Sequence, residues 1–460
     1  MIFSITNDDV NCKMKQTIKY FFFFFPVFIS VRGVAQVSDT LRWSLTDCFS
    51  FAAGHNIQIN TLRLNQQSAK QDLAAAKAAK TPNLDAEITS TFNNRNNSNG
   101  NSGLVNQLVN AGDYALTSSV LIWNGNALNH TIQLNRLQFE SDALLIQQSL
   151  NNIQLQITGA YLNILLAKEN LTYFTDLVNT SQALVRRGQQ FYKAGSIAKK
   201  DLLELQAQLA GNRYLQVQAQ NAVRQNLLTL KQILQLTADS IFDIISPDTI
   251  EVSTILPPLE EVRRAAFNNF PDVKIGHAGM AIASANISIA KAHFMPVLSV
   301  YGSLASANNF ELTHAMAPKT AYFTQIDNNF YQQLGLTLSI PVFTNRLNRT
   351  NLEKARINYR QAYLNLQNDQ LVLSQAVEQY YINAENAIQS FQAAEELLTS
   401  ATESYRIVNA QFRLGGATIY DLLQQQNQYV QSFQQYIQAK YSAVLEQKIY
   451  LFYNGIPITL

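Results

Sequence analysis

Residues capable of chemistry are few in this chain, and they are scattered. His55, His130, His277, His293 and His314 stand far apart, with no i, i+4 pair of the kind that grips a metal on one helix face. Cys12 and Cys48 form no Cys-x-x-Cys pair, and Cys48 reads as a small buried residue on a helix. No nucleophile–base set, phosphate-cradling glycine loop or paired carboxylates stands out. The expectation is therefore no enzyme, no cofactor and no metal site. One carboxylate does recur in a fixed setting. Asp201 follows Tyr192-Lys193-Ala194-Gly195 and opens Asp201-Leu202-Leu203, while Asp421 follows Phe412-Arg413-Leu414-Gly415 and opens Asp421-Leu422-Leu423. A glycine that stops one helix, followed by an acid that starts the next, is a helix-hairpin signature.

The two settings lie 220 positions apart, and the same offset relates Tyr161 to Tyr381 and Trp123 to Phe343. Upstream the offset is 214, relating Pro82 to Pro296 and Leu45-Thr46-Asp47 to Leu259-Glu260-Glu261. Six residues are thus inserted between Pro296 and Phe343. A unit this long exceeds solenoid periods of about 20–50 residues. It marks a duplicated domain half: 44–236 as the first repeat, 237–257 as a mixed linker, and 258–455 as the second.

Charged residues make up 14 % of the chain and the net charge is +2. Lys13, Lys15, Lys19 and Arg32 against Asp8 and Asp9 account for that excess, so the chain after residue 35 is neutral. A neutral chain gives no electrostatic case for nucleic acid. Residues 1–35 read as a signal peptide whose true start is Met14. Lys15 and Lys19 form its basic end, Tyr20 to Val31 its apolar centre, and Gly33-Val34-Ala35 its cleavage site.

No proline lies between Pro82 and Pro247, or between Pro341 and Pro457, so very long helices are permitted. Apolar positions step by three and four from Leu352 through Ala355, Tyr359, Ala362 and Leu366, and resume from Leu373 to Phe412. The break at Asp369 reads as a stutter. The spacing predicts helices over 345–412 and 125–192, each turning at its glycine into a second helix near 418–452 and 199–236. The small and aromatic seam residues suit helices laid side by side in a wall.

Strands flank these helices. Leu334, Leu336, Leu338, Ile340 and Val342 alternate with smaller residues, as do Leu298 to Leu304, Leu84 to Thr89 and Leu116 to Trp123. Each run has about the ten residues of a transmembrane strand, and the intervening polar stretches 93–112 and 308–329 read as loops. Four strands cannot close a barrel, and lipid tolerates no open edge. Strands from two or three chains must therefore join, giving eight or twelve.

These features together resemble the TolC family of outer-membrane efflux proteins over residues 44–455. The resemblance rests on the Leu45-Thr46-Asp47 opening, the Ala-rich helices ending before Pro82 and Pro296, the strand Leu338-Ser339-Ile340-Pro341-Val342-Phe343, and the two glycine tips. It implies a mainly α fold with a transmembrane β part. Long helical hairpins would form an α-barrel tunnel in the periplasm, under an outer-membrane β-barrel shared by a homotrimer, four strands per chain. It implies a passive exit duct for an inner-membrane RND or ABC pump, reached through a periplasmic adaptor. On the same ground, Gly195, Ser196, Ile197 and Ala198, with Gly415, Gly416, Ala417 and Thr418, are the adaptor-docking tips. Asp421, with Gln424 three residues on, falls at the periplasmic gate; the alternative for Asp421 is a plain helix start. Leu336, Leu338, Ile340 and Val342 are expected on a strand that faces outer-membrane lipid. The Gln- and Asn-rich run Gln424–Gln428 is expected to line the tunnel. A periplasmic coiled-coil scaffold or adhesin without a pore is the alternative function.

Overall fold

A computed structural model describes residues 41–460 apart from 100–102, 238–240, 248–249 and 313–319. The predicted signal peptide, with Met14 and Cys12, lies outside the described residues. After β1 (Leu41–Trp43) the first repeat runs α1 (Leu45–His55), α2 (Ile57–Ala78), β2 (Asp85–Asn99), β3 (Gly103–Trp123), α3 (Ala127–Lys193) and α4 (Lys199–Ile233). After β4 (Phe242–Ile244) the second repeat runs α5 (Leu259–Asn269), α6 (Pro271–Ala292), β5 (Val297–Glu311), α7 (Tyr322–Asn328), β6 (Tyr331–Ser339), α8 (Leu347–Arg413) and α9 (Ile419–Tyr453). The paired helices match to the residue: 11 in α1 and α5, 22 in α2 and α6, 67 in α3 and α8, and 35 in α4 and α9.

Ser44 caps α1. Its backbone N–H donates to Asp47 Oδ2 at 2.9 Å, and the Asp47 N–H donates to Ser44 Oγ at 3.2 Å. At about 1.5 Å per residue, α3 and α8 are each about 100 Å long. Every seam position of α8 is buried or half-buried, and each long helix packs antiparallel on the helix that follows it. The break at Asp369 sits where α6 crosses: a Cβ on Gly276 would lie 2.8 Å from Leu366 Cδ1 and 3.2 Å from Asp369 Oδ2. Glycine lets the helices approach closely there.

The predicted linker packs against the middle of α3. β4 pairs in parallel with β1, and Tyr161, 2 % exposed, donates its hydroxyl to Ile245 O at 2.5 Å. Lys168 Nζ lies 2.6 Å from Asp243 Oδ1. One core gathers here around Ile157, Ile164, Leu230 and Ile59; its counterpart in the second repeat gathers around Val262, Val377, Ala384 and Tyr450. Cys48 is fully buried, and burial pushes its thiol up to about 12.

The four long strands form one antiparallel sheet in the order β2-β3-β5-β6. They correct two expectations. First, 93–112 is not a loop: β2 runs to Asn99 and β3 begins at Gly103, paired residue by residue. Cross-strand hydrogen bonding carries this hairpin past the apolar residues that marked it. Likewise β5 continues to Glu311, and the predicted loop beyond it contains α7. Second, β6 ends at Ser339, because Pro341 has no N–H to donate and biases the residue before it. Ile340 and Val342 therefore lie beyond the strand.

Where sheet meets helix, the chain turns through two consecutive left-handed residues in both repeats. They are Gly125 (φ 65°) and Asn126 (φ 69°), then Asn345 (φ 46°) and Arg346 (φ 67°).

Candidate functional site

Both tips end their helices in the same way. In the first, the Gly195 N–H donates to Tyr192 O at 3.0 Å and the Ser196 N–H to Phe191 O at 2.9 Å. In the second, the Gly415 N–H donates to Phe412 O at 3.2 Å and the Gly416 N–H to Gln411 O at 2.8 Å. This paired closure needs a left-handed residue, and Gly195 (φ 74°) and Gly415 (φ 80°) supply it. Gly416 does not share that requirement.

The next helices start differently. Thr418 and Asp421 form a complete capping box: the Thr418 N–H donates to Asp421 Oδ2 at 3.0 Å, the Thr418 hydroxyl to the same oxygen at 2.6 Å, and the Asp421 N–H to Thr418 Oγ1 at 3.2 Å. These bonds, the hydroxyl's first, hold the Asp421 carboxyl below the usual range. In the first tip Ala198 offers no side-chain acceptor, so only the Ala198 N–H to Asp201 Oδ2 bond forms, at 3.1 Å. Asp421 thus caps its helix and is exposed, as is Gln424.

The two tips, 220 residues apart in sequence, meet around one groove of about 490 Å³. Phe191, Ile197, Ile419 and Tyr420 give it apolar walls, and Lys200, Glu204 and Arg413 add charge. Tyr420 on its wall is 67 % exposed, and Leu414, at the turn of the second tip, is 89 % exposed. Sequence reasoning found the tips but missed their convergence and these two side chains; the duplicated motif was the only signal for it. The polar run beyond also divides. Gln424, Asn427 and Gln428 are exposed, but Gln426 is 1 % exposed and faces inward, so it cannot line a tunnel.

At the other end, register sorts the sheet into two unlike faces. One carries Leu298 beside Leu338, Val300 beside Leu336 and Val120, then Leu334, Leu304, Leu116 and Ile88. The other carries Asp85, Glu87 and Asp113, with Thr117, Ser303, Gln333 and Thr337. A bulge between Leu121 and Trp123 brings Trp123 opposite Leu298, on the apolar face. Leu336 and Leu338 thus share the apolar face, whereas Ile340 and Val342 follow the strand's end. Among the described residues no group of His, Cys, Asp and Glu could hold a metal ion, and no helix is long and apolar enough to cross a membrane.

A sheet with one apolar and one polar face, carried on about 100 Å of paired helices, defines a channel-forming outer-membrane protein whose helical part extends from the membrane. The outer membrane efflux protein family matches the chain twice, over residues 50–235 and 262–448. The chain belongs to that family. The Outer membrane protein TolC of Vibrio cholerae is 23 % identical over 407 residues, covering 86 % of this chain and 87 % of the relative. Protein CyaE of Bordetella pertussis is 22 % identical over 384 residues, covering 82 % and 76 %. The solved CmeC outer membrane channel of Campylobacter jejuni superposes with a TM-score of 0.73 at 15 % identity, over 89 % of this chain and 86 % of that one. The chain is an efflux exit duct of the outer membrane reaching into the periplasm, a channel rather than an enzyme or a scaffold.

Proposed function

We propose that three copies close one twelve-stranded barrel in the outer membrane over one helical tunnel in the periplasm. The observation that carries this reading is the sheet order, in which β2 and β6 are outer strands, each with an open edge. Lipid does not tolerate such edges. Edge-to-edge joining of β6 with a neighbour's β2 removes them, and twelve strands leave a lumen where eight would be filled by side chains. The apolar face with Leu336 and Leu338 then meets lipid, and the face with Asp85, Glu87 and Asp113 lines the water path. Residues 44–236 and 258–455 act as the two repeats, with 237–257 as the belt between them.

In this reading the tips Gly195–Ala198 and Gly415–Thr418 dock a periplasmic adaptor, and the groove they share supports that role: it is apolar-walled, charged at its rim and open. An inner-membrane pump of the RND or ABC type supplies the energy. Asp421, brought near two copies of itself by the threefold axis, narrows the entrance together with Gln424 and favours cations there. The test is the detergent-corrected mass of protein extracted from outer membranes, alongside a variant whose two tips are replaced by unrelated turns. A mass near three chains, with the variant losing cellular efflux but keeping single-channel conductance, supports the proposal. A monomer, or a tip variant with full efflux, refutes it.

A further inference from the structure

The short helix α7 was not foreseen and the duct reading makes no use of it, yet it occupies a defined place. Ser306 Oγ donates to Ile326 O at 2.5 Å, the Asn309 N–H donates to Gln325 Oε1 at 2.9 Å, and Asn329 Nδ2 donates to Ala307 O at 2.7 Å. The hydroxyls of Tyr114 and Tyr322 bond to each other. Tyr114 and Ser306 oppose one another in register and lie on the face that carries Leu304, Leu116 and Ile88. Thus α7 is clamped onto the apolar face, not the polar one.

It sits where that face changes character. A hydrogen-bonded polar ladder crosses three strands there: Tyr114 OH to Asn308 Oδ1 at 3.2 Å, Asn308 Nδ2 to Asn110 Oδ1 at 3.3 Å, and Asn110 Nδ2 to Ser90 Oγ at 2.9 Å. Such a row is costly in hydrocarbon and favourable at its edge. Asn308 lies ten residue steps along β5 from Leu298, which is opposite Trp123. At about 3.4 Å per residue and a tilt of about 40°, they rise about 26 Å, against an apolar band of about 25 Å on outer-membrane barrels. Trp123 therefore marks the helix-side boundary and α7 the opposite one. At that boundary Phe323 is 82 % exposed and Phe330 52 %. Aromatic side chains favour the zone where acyl chains meet headgroups.

We infer that α7 is an interfacial anchor that seats Phe323 at the headgroup–acyl boundary of the outer leaflet. The inference rests on the apolar face meeting lipid, as proposed above. The occupant is bilayer lipid, because the patch continues the apolar band and the polar ladder borders it.

The test is nitroxide labelling of single cysteines in a Cys48→Ala background, with the full protein reconstituted in lipid vesicles. Collision with oxygen, which partitions into lipid, is compared with collision with a water-soluble nickel chelate. Three sites are labelled: Leu334→Cys on the apolar face, Thr89→Cys on the polar face, and Phe323→Cys. The expected oxygen-to-nickel ratio is highest at 334, lowest at 89 and intermediate at 323, several-fold above that at 89. A ratio at 323 equal to that at 89, with 334 still lipid-exposed, overturns the anchor alone. Aqueous values at both 334 and 323 overturn the lipid-face reading and the anchor with it. Where Phe323→Cys does not assemble, Phe323→Trp in a Trp123→Phe background gives a second readout: quenching by lipids brominated near the headgroup is expected, and its absence overturns the anchor.

Discussion

The junction between sheet and helix offers the sharpest test of how this chain is held together. Gly125 sits at φ 65°, and a Cβ built there would lie 2.6 Å from Met295 Cβ, 2.8 Å from Met295 Cγ and 3.0 Å from Ala292 O. Two penalties follow for Gly125→Ala. An L-residue in left-handed backbone costs about 1–2 kcal/mol, and overpacking a site that cannot yield costs about 1–3 kcal/mol. The second applies because two of the three neighbours, Met295 Cβ and Ala292 O, are fixed to backbone rather than at a flexible chain end. The expected loss is about 2–5 kcal/mol per protomer. Met295→Ala removes Cγ but leaves Cβ and the carbonyl in place, so the double variant should recover little. Guanidinium unfolding in detergent, followed by tryptophan emission, reads the effect, with Trp123 two residues away as the local reporter. In the second repeat Arg346→Gly relieves the same left-handed strain and should hold stability or raise it by up to about 1 kcal/mol. Gly125→Ala melting at the wild-type denaturant concentration would refute the reasoning, and so would full rescue by Met295→Ala.

Two further predictions concern the second tip and the helix beyond it. Gln426 is 1 % exposed, and neither polar atom of its amide has a hydrogen-bond partner. Gln426→Leu, of similar volume, should therefore stabilise α9 by about 1–3 kcal/mol, seen as a higher unfolding midpoint; a lower midpoint sinks that account. Asp421 has its folded-state pKa lowered by its bonds with Thr418. Its contribution is therefore complete above the ordinary carboxylate value of about 3.9 and fades as pH falls through the lowered one. Hydrogen-exchange protection of residues 419–424, corrected for intrinsic rate, should drop below about pH 4. Thr418→Ala should flatten that drop, and an unchanged drop would assign it to another group.

The helices were legible because their information is local and repeated. The three–four rhythm of α8, the absence of proline and the glycine stops place its ends within two residues of those observed, Leu347 and Arg413. The strands were legible only where they are apolar. Asn93 to Asn99 pair with Gly103 to Val109, and the first of these runs is Asn-rich, with none of the β-branched or aromatic residues that mark a strand; the partner strand decides. Leu336 and Leu338 were read correctly as sharing a face. Alternation continued past Ser339 to Ile340 and Val342, but Pro341 ended the ladder. Trp123 shows the reverse case, since only the bulge reveals its face. Gln426 was misjudged because a glutamine run reads as solvated, while helix phase turns one member inward. The meeting of the two tips depends on packing between repeats, which no local pattern records.

The equal lengths of the duplicated helices also constrain how this molecule can change over evolutionary time. One residue added to α3 or α8 would shift everything beyond it by about 1.5 Å along the axis and about 100° around it. That would turn a seam residue to water and carry one tip out of the plane of its twin. The β3 and β6 strands bear no such matching, at 21 and 9 residues, and the six-residue insertion falls in the second hairpin. The helical shaft therefore behaves as a pair of matched gauge rods. Within this chain the six-residue difference between the repeats is taken up in the sheet hairpins, so the two shafts keep the same reach.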